Sequence, residues 1–158
     1  MNTTTVFRLA AASLVLVIGT TACNDENDVA GARGALAVLN VDAPSFAQSG
    51  KQFEVEVVSA NVGVSNLRDG RVEVVFEAPL MPLAADASSG TTASVAGDRA
   101  TWTLDTLDAN SRSTLHVRVV GRLSAGEASR SARIRAELTA RGISPGEAVA
   151  TDFVTIRP

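Results

Sequence analysis

The chain has 158 residues, 46% of them hydrophobic and 20% charged, which is the make-up of one globular domain and not of a disordered chain. With 14 Lys and Arg against 17 Asp and Glu, the net charge is −3, which excludes a nucleic-acid partner because phosphate binding needs a basic face. One Cys, one His and no Tyr leave no internal disulfide, no Cys-based zinc cluster, no implied cofactor and little material for acid–base chemistry.

Residues 1–22 read as a signal peptide. Arg8 supplies the positive end, and Leu9 to Ile18 is an apolar run broken only by Ser13. At ~1.5 Å per residue this run covers about half of the ~30 Å hydrocarbon core, so it reads as a signal helix and not a membrane span. Small residues follow, and then Cys23, the only cysteine. Thr20-Thr21-Ala22-Cys23 resembles a bacterial lipobox, with Thr20 where an aliphatic residue is usual. The resemblance implies that Cys23 becomes the acylated N-terminus and that the protein is bound to a membrane through its lipid. Residues 23–34 then form a flexible acidic tether, Asn24-Asp25-Glu26-Asn27-Asp28 followed by small residues. This run lacks the glycine-turned spacing of a calcium loop.

Residues 35–158 alternate with period two, as strands with one buried and one wet face do. Ala35 to Val41 reads as the first strand. Phe53-Val55-Val57, Val72-Val74-Phe76, Ala100-Trp102-Leu104, Leu115-Val117-Val119 and Ala132-Ile134-Ala136-Leu138 mark five more, and Ala148 to Ile156 the last, with a bulge near Phe153-Val154. Turn signals stand at Gln48-Ser49-Gly50, Arg68-Asp69-Gly70, Ala96-Gly97-Asp98, Ser124-Ala125-Gly126-Glu127 and Ser144-Pro145-Gly146. No helical pattern of three turns follows Cys23. The expected fold is all-β: an antiparallel two-sheet sandwich of about seven to eight strands, with a small barrel as the alternative. Trp102, Phe53, Phe76 and Phe153 are assigned to the core, and Phe46, beside Pro44, to the surface. Asn61 and Gly63 are read as turn residues tolerant of positive φ.

From about Leu36 to Leu138 the chain resembles the bacterial conserved-repeat domain of the DUF-eleven family. The matching features are Gly50 before the strand Phe53 to Val57, Asn61-Val62-Gly63 after it, and Val72-Glu73-Val74 opening the next strand. Ser89-Gly90 follows in a long connection, then Trp102-Thr103-Leu104 with Leu107, and Leu115-His116-Val117-Arg118-Val119. Glu77-Ala78-Pro79-Leu80 replaces that family's aspartate-x-leucine-proline. Asn110 stands for a turn glycine, whose left-handed backbone it tolerates. A bacterial adhesion-type immunoglobulin-like module is the second resemblance. Either implies an immunoglobulin-like sandwich outside the cytoplasm with a binding or structural role and no catalytic residue.

In such an arrangement the strands starting near Val72, Leu115 and Ala132 share a sheet. Its wet face then carries Glu73, Val75 and Glu77 beside His116, Arg118 and Val120, beside Arg133, Arg135 and Glu137. This is a self-paired charge lattice and a candidate interaction face. Enzyme readings lack material. His116 lies in mid-strand, away from the loops and strand ends where catalytic groups usually sit. Glu54 and Glu56 fit edge protection on a wet strand better than a glycosidase pair. Asp105 and Asp108 fit a plain turn better than a calcium site. The expectation is a lipid-anchored, non-catalytic envelope protein with an envelope protein as partner. A structural spacer and a glycan-binding adhesin are the alternatives.

Overall fold

The computed structural model describes residues 34–88 and 92–158. The expected signal peptide, Cys23, most of the expected tether and Ser89-Gly90 lie outside the described residues. Ten strands follow in chain order: β1 (Ala37–Asp42), β2 (Phe46–Gln48), β3 (Gln52–Asn61), β4 (Leu67–Phe76) and β5 (Leu80–Ala87), then β6 (Thr92–Ala96), β7 (Arg99–Leu107), β8 (Arg112–Gly121), β9 (Arg130–Ala140) and β10 (Ile143–Arg157). They form a four-stranded sheet, β1-β3-β8-β5, and a six-stranded sheet, β2-β10-β9-β4-β7-β6. Among the described residues every pairing is antiparallel except β10 with β2. The expected all-β immunoglobulin-like sandwich is the fold observed.

The alternation read from the sequence builds the core. Val55 and Val57 on β3 and Leu115, Val117 and Val119 on β8 line the inner face of the four-stranded sheet. Val72, Val74 and Phe76 on β4, Trp102 and Leu104 on β7, Ile134, Ala136 and Leu138 on β9, and Val154 and Ile156 on β10 line the inner face of the other. None of these side chains is more than 1% exposed. Each of the large ones contributes roughly 1.5–3 kcal/mol on burial.

The chain changes sheet between β1 and β2 at Ala43-Pro44-Ser45. Pro44 has no N–H to extend a ladder, and Ala43 N–H donates to Asp152 Oδ2 at 2.9 Å, which ties the crossing to β10. The hairpin β6–β7 turns at Gly97-Asp98 with Gly97 at φ 61°, as the sequence predicted. Asn110 has φ 58°, the left-handed backbone expected of it.

Several expectations are corrected. Three strands, β2, β5 and β6, go beyond the seven that the alternation marks. β5 carries Pro82 and slips register between Pro82 and Ala84, which destroys its alternation. β6 is a short edge of small residues, and β2 has only three residues. Arg68-Asp69-Gly70 is no turn. It lies within β4, with Asp69 at φ 55° and the β4–β7 register unchanged across it. Gly70 packs closely there: a Cβ would lie 2.9 Å from Leu67 Cδ2, and that side chain would have to shift. The reversal before β10 is at Arg141-Gly142, and Ser144-Pro145-Gly146 belongs to a bulge where the register shifts between Ile143 and Ala148. The ladder is regular at Phe153-Val154, where a bulge was expected.

Two side chains change place. Phe153 is 56% exposed and not in the core. Val120 is buried, at the end of β8 where Gly50 N–H donates to Gly121 O and Arg122 N–H to Pro79 O. Asn61 and Gly63 have no positive φ. Asn61 is instead a buried hub. Its Nδ2 donates to Ser65 O (2.8 Å) and Leu107 O (2.9 Å), and its Oδ1 accepts from Gly63 N–H (3.1 Å) and Leu36 N–H (3.4 Å). At Gly63 a Cβ would stand 2.1 Å from Gly34 O, so glycine lets the loop pass against the start of the domain.

Candidate protein-interaction face

The charged face expected on one sheet is divided between two. β4 and β9 are neighbours in the six-stranded sheet, whereas β8 lies between β3 and β5 in the other. Glu73, Val75, Glu77, Arg133, Arg135 and Glu137 therefore share an outer surface, and His116 and Arg118 face the opposite way. The physical reason is the chain's path. After β7 it crosses at Asp108 to Ser111 into the four-stranded sheet, a crossing that periodicity cannot reveal.

On the six-stranded sheet, Arg133 pairs with Glu77 at 2.5 Å, Arg135 with Glu137 at 2.7 Å, and Arg99 with Glu73. Glu73 and Glu137 stand opposite each other in the β4–β9 ladder, a repulsive placement if bare. Each has its own arginine, so the repulsion is neutralised within the lattice. Exposed pairs of this kind contribute under about 1 kcal/mol each.

On the four-stranded sheet, His116 Nδ1 lies 2.9 Å from Glu54 Oε1. His116 stands opposite Glu56 on one side and Asp86 on the other, and Arg118 opposite Glu54. Glu54 and Glu56, with Asp42 beside them, give this face an acidic half. Among the described residues no group of three or more His, Cys, Asp or Glu side chains is placed to hold a metal ion. Asp105 lies within β7. Asp108 Oδ1 accepts from Asn66 Nδ2 at 2.9 Å, bracing the turn before β8.

The feature missed in the sequence is aromatic. Val149, Thr151, Phe153 and Thr155 form the outward row of β10. Phe153 stands opposite Arg133 on β9, and Phe46 of β2 stands opposite Thr155. Phe46 is 62% exposed, as expected of it, and Phe153 follows it to the surface. The Arg157 guanidinium lies 5.1 Å from the centre of the Phe46 ring, a cation–π contact. Two phenylalanines, Val149 and the arginines 133, 135 and 157 thus occupy one outer surface. Exposed aromatic rings beside arginine are the composition of protein-interface hot spots. The signal was available: if Val154 and Ile156 point inward, Phe153 must point outward. Trp102 is fully buried, which removes it as a sugar-stacking ring.

No protein-family model matches the chain, and no curated protein matches it in sequence. Solved structures match in shape. The CARDB domain of the PF1109 protein from Pyrococcus furiosus, crystallised in complex with di-metal ions, is similar with a TM-score of 0.56 and 17% identity, over 78% of this chain and 89% of that one. A non-cellulosomal cohesin from the archaeon Archaeoglobus fulgidus gives 0.54 and 14%, over 77% and 91%. AvmM, which catalyses macrocyclization in alchivemycin A biosynthesis, gives 0.51 and 15%, over 80% and 90%. These likenesses show an immunoglobulin-like β-sandwich. They carry no activity across, as the variety of their descriptions illustrates.

Proposed function

We propose that this protein is a lipid-anchored component of the bacterial cell envelope whose immunoglobulin-like domain is a non-catalytic docking module for another envelope protein. Cys23 carries the acyl chains, and the outer surface of the six-stranded sheet meets the partner. The observation that carries the docking role is the pair Phe46 and Phe153, both more than half exposed beside Arg133 and Arg157. Leaving two large rings in water is unfavourable, and a partner that covers them recovers the hydrophobic free energy. The expected charges Glu73, Glu77, Arg133 and Arg135 frame the rings on that surface. His116 and Arg118 belong to the other one.

The test is cross-linking in intact cells, detergent extraction and identification of the co-purifying proteins. The expected result is one reproducible protein partner, recovered about tenfold or more less well with Phe46→Ala/Phe153→Ala, as for loss of a hot spot. Recovery of only bulk peptidoglycan or abundant porins, unchanged by the substitutions, overturns docking in favour of a structural spacer. The exposed rings also favour a second reading, an adhesin that stacks sugars on them; retention on a glycan column that disappears with Phe46→Ala would select it. Cys23→Ala should move the protein from the membrane to the soluble fraction, and persistence at the membrane would refute the lipid anchor.

A further inference from the structure

The outer surface of the four-stranded sheet is graded along its strands. At one end Leu36 stands beside Val62, whose N–H donates to Leu36 O at 2.8 Å and continues the β1–β3 ladder. Next comes the pair Val38 and Ala60, then Asn40 and Val58, and only after these the acidic half, Asp42 with Glu56. Leu36, Val38, Val62 and Val64 are 58%, 47%, 50% and 84% exposed. They are four of the nine large hydrophobic side chains that the described surface exposes, gathered at one end of one sheet.

This apolar end is also held in shape. Ser65 N–H donates to Gly34 O at 2.8 Å, and Asn61 bonds Leu36 N–H, Gly63 N–H and Ser65 O. Val64 therefore projects from a pinned loop. With Leu36, Val38 and Val62 it forms one exposed apolar patch, and such patches mark surfaces that a protein or a membrane covers.

The place where the preceding chain joins says which. Residues 1–33 enter at Gly34, which touches this patch, and Cys23 precedes Gly34 by 11 residues, at most about 35–40 Å of extended chain. We infer that Leu36, Val38, Val62 and Val64 seat this end of the domain on the lipid bilayer. The inference rests on the lipid anchor proposed above and adds an orientation to it. Arg112, opposite Ala60 on β8, lies beside the patch and suits anionic headgroups, while Asp42, Glu54 and Glu56 hold the other half of the sheet away from them. Phe46 and Phe153 lie on the opposite sheet near the far end of its strands, and so face away from the membrane.

The test uses the full-length lipoprotein purified from membranes and placed in phosphatidylethanolamine/phosphatidylglycerol vesicles. Cys23 is the only cysteine. When it is acylated, a Cys introduced by Val64→Cys or by Ser124→Cys at the opposite end is the only free thiol for an environment-sensitive dye. Side chains inserted at the headgroup–acyl boundary should lose fluorescence roughly twofold or more to brominated lipid at position 64 and not at 124. Adding Leu36→Asp should abolish the quenching at 64. A vesicle-bound protein that is unquenched at 64 overturns this inference and leaves the anchor intact. Energy transfer between labelled copies without lipid quenching assigns the patch to a second copy and also overturns it. A protein that is soluble in cells, with a reactive Cys23 thiol, overturns the anchor and the inference together.

Discussion

Asn61 is the residue on which the Leu36–Val62 end of the sandwich depends. It is fully buried, it makes four hydrogen bonds, and two of them satisfy the carbonyls of Ser65 and Leu107. Asn61→Ala leaves these groups and two N–H groups unpaired, and should cost about 3 kcal/mol, read as a lowered urea midpoint at unchanged slope. Asn61→Asp should cost more, because it buries a carboxylate and sets one of its oxygens against the Ser65 and Leu107 carbonyl oxygens. A loss below about 1 kcal/mol for Asn61→Ala would mean that water replaces the hub without penalty. Ser59 makes the opposite case. Its Oγ is buried within β3 with no hydrogen-bond partner among the described residues. Ser59→Ala removes an unpaired hydroxyl and little volume, and should raise stability by about 1 kcal/mol. Trp102 Nε1 likewise has no partner among the described residues, but replacing that ring also opens a void, so Ser59 is the cleaner test.

At the level of the element, period two was a sufficient guide wherever a strand has one buried and one wet face. β3, β4, β7, β8 and β9 were legible for that reason, and so were their core residues Val55, Phe76, Trp102, Leu115 and Ile134. The guide failed for β5, where Pro82 and a register slip erase the alternation, and for β6, whose small residues carry little hydrophobic contrast. It also failed for Arg68-Asp69-Gly70, because the residues that make turns also serve close packing inside a strand. Periodicity assigns a side chain to a face but does not assign a strand to a sheet. That is why Glu77 and Arg133 were rightly placed together and His116 and Arg118 wrongly added to them. The Arg133–Glu77 pair is half exposed on both sides. Arg133→Ala and Glu77→Ala should each shift stability by under about 1 kcal/mol, with a coupling near 0.5 kcal/mol in a double-mutant cycle. A coupling several times larger would make the lattice a structural brace, and its use as a docking surface would then be secondary.

For the whole molecule, the question is how the N-terminal segment and the sandwich divide the work. The buried cluster begins at Val41 and ends at Ile156, and draws on both sheets. Among the described residues that cluster spans both sheets, so the sandwich is expected to fold without the segment before Gly34. Removing residues 1–33 should leave a monomeric, folded domain whose Tm moves by less than about 3 °C, the equivalent of about 1 kcal/mol at this size. Removing residues 1–42 should behave differently. It strips β1 from the edge of β3, exposes the ladder from Glu56 to Asn61, and takes away the Leu36 N–H that Asn61 binds. That protein should unfold or aggregate through the bared edge. Scanning calorimetry on the two truncations separates the cases. If the shorter deletion also collapses the domain, residues before Gly34 supply part of the fold and are more than an address and a tether. If only the longer one does, the sandwich folds independently of the residues before Gly34, and the membrane attachment proposed at Cys23 is a property separate from folding.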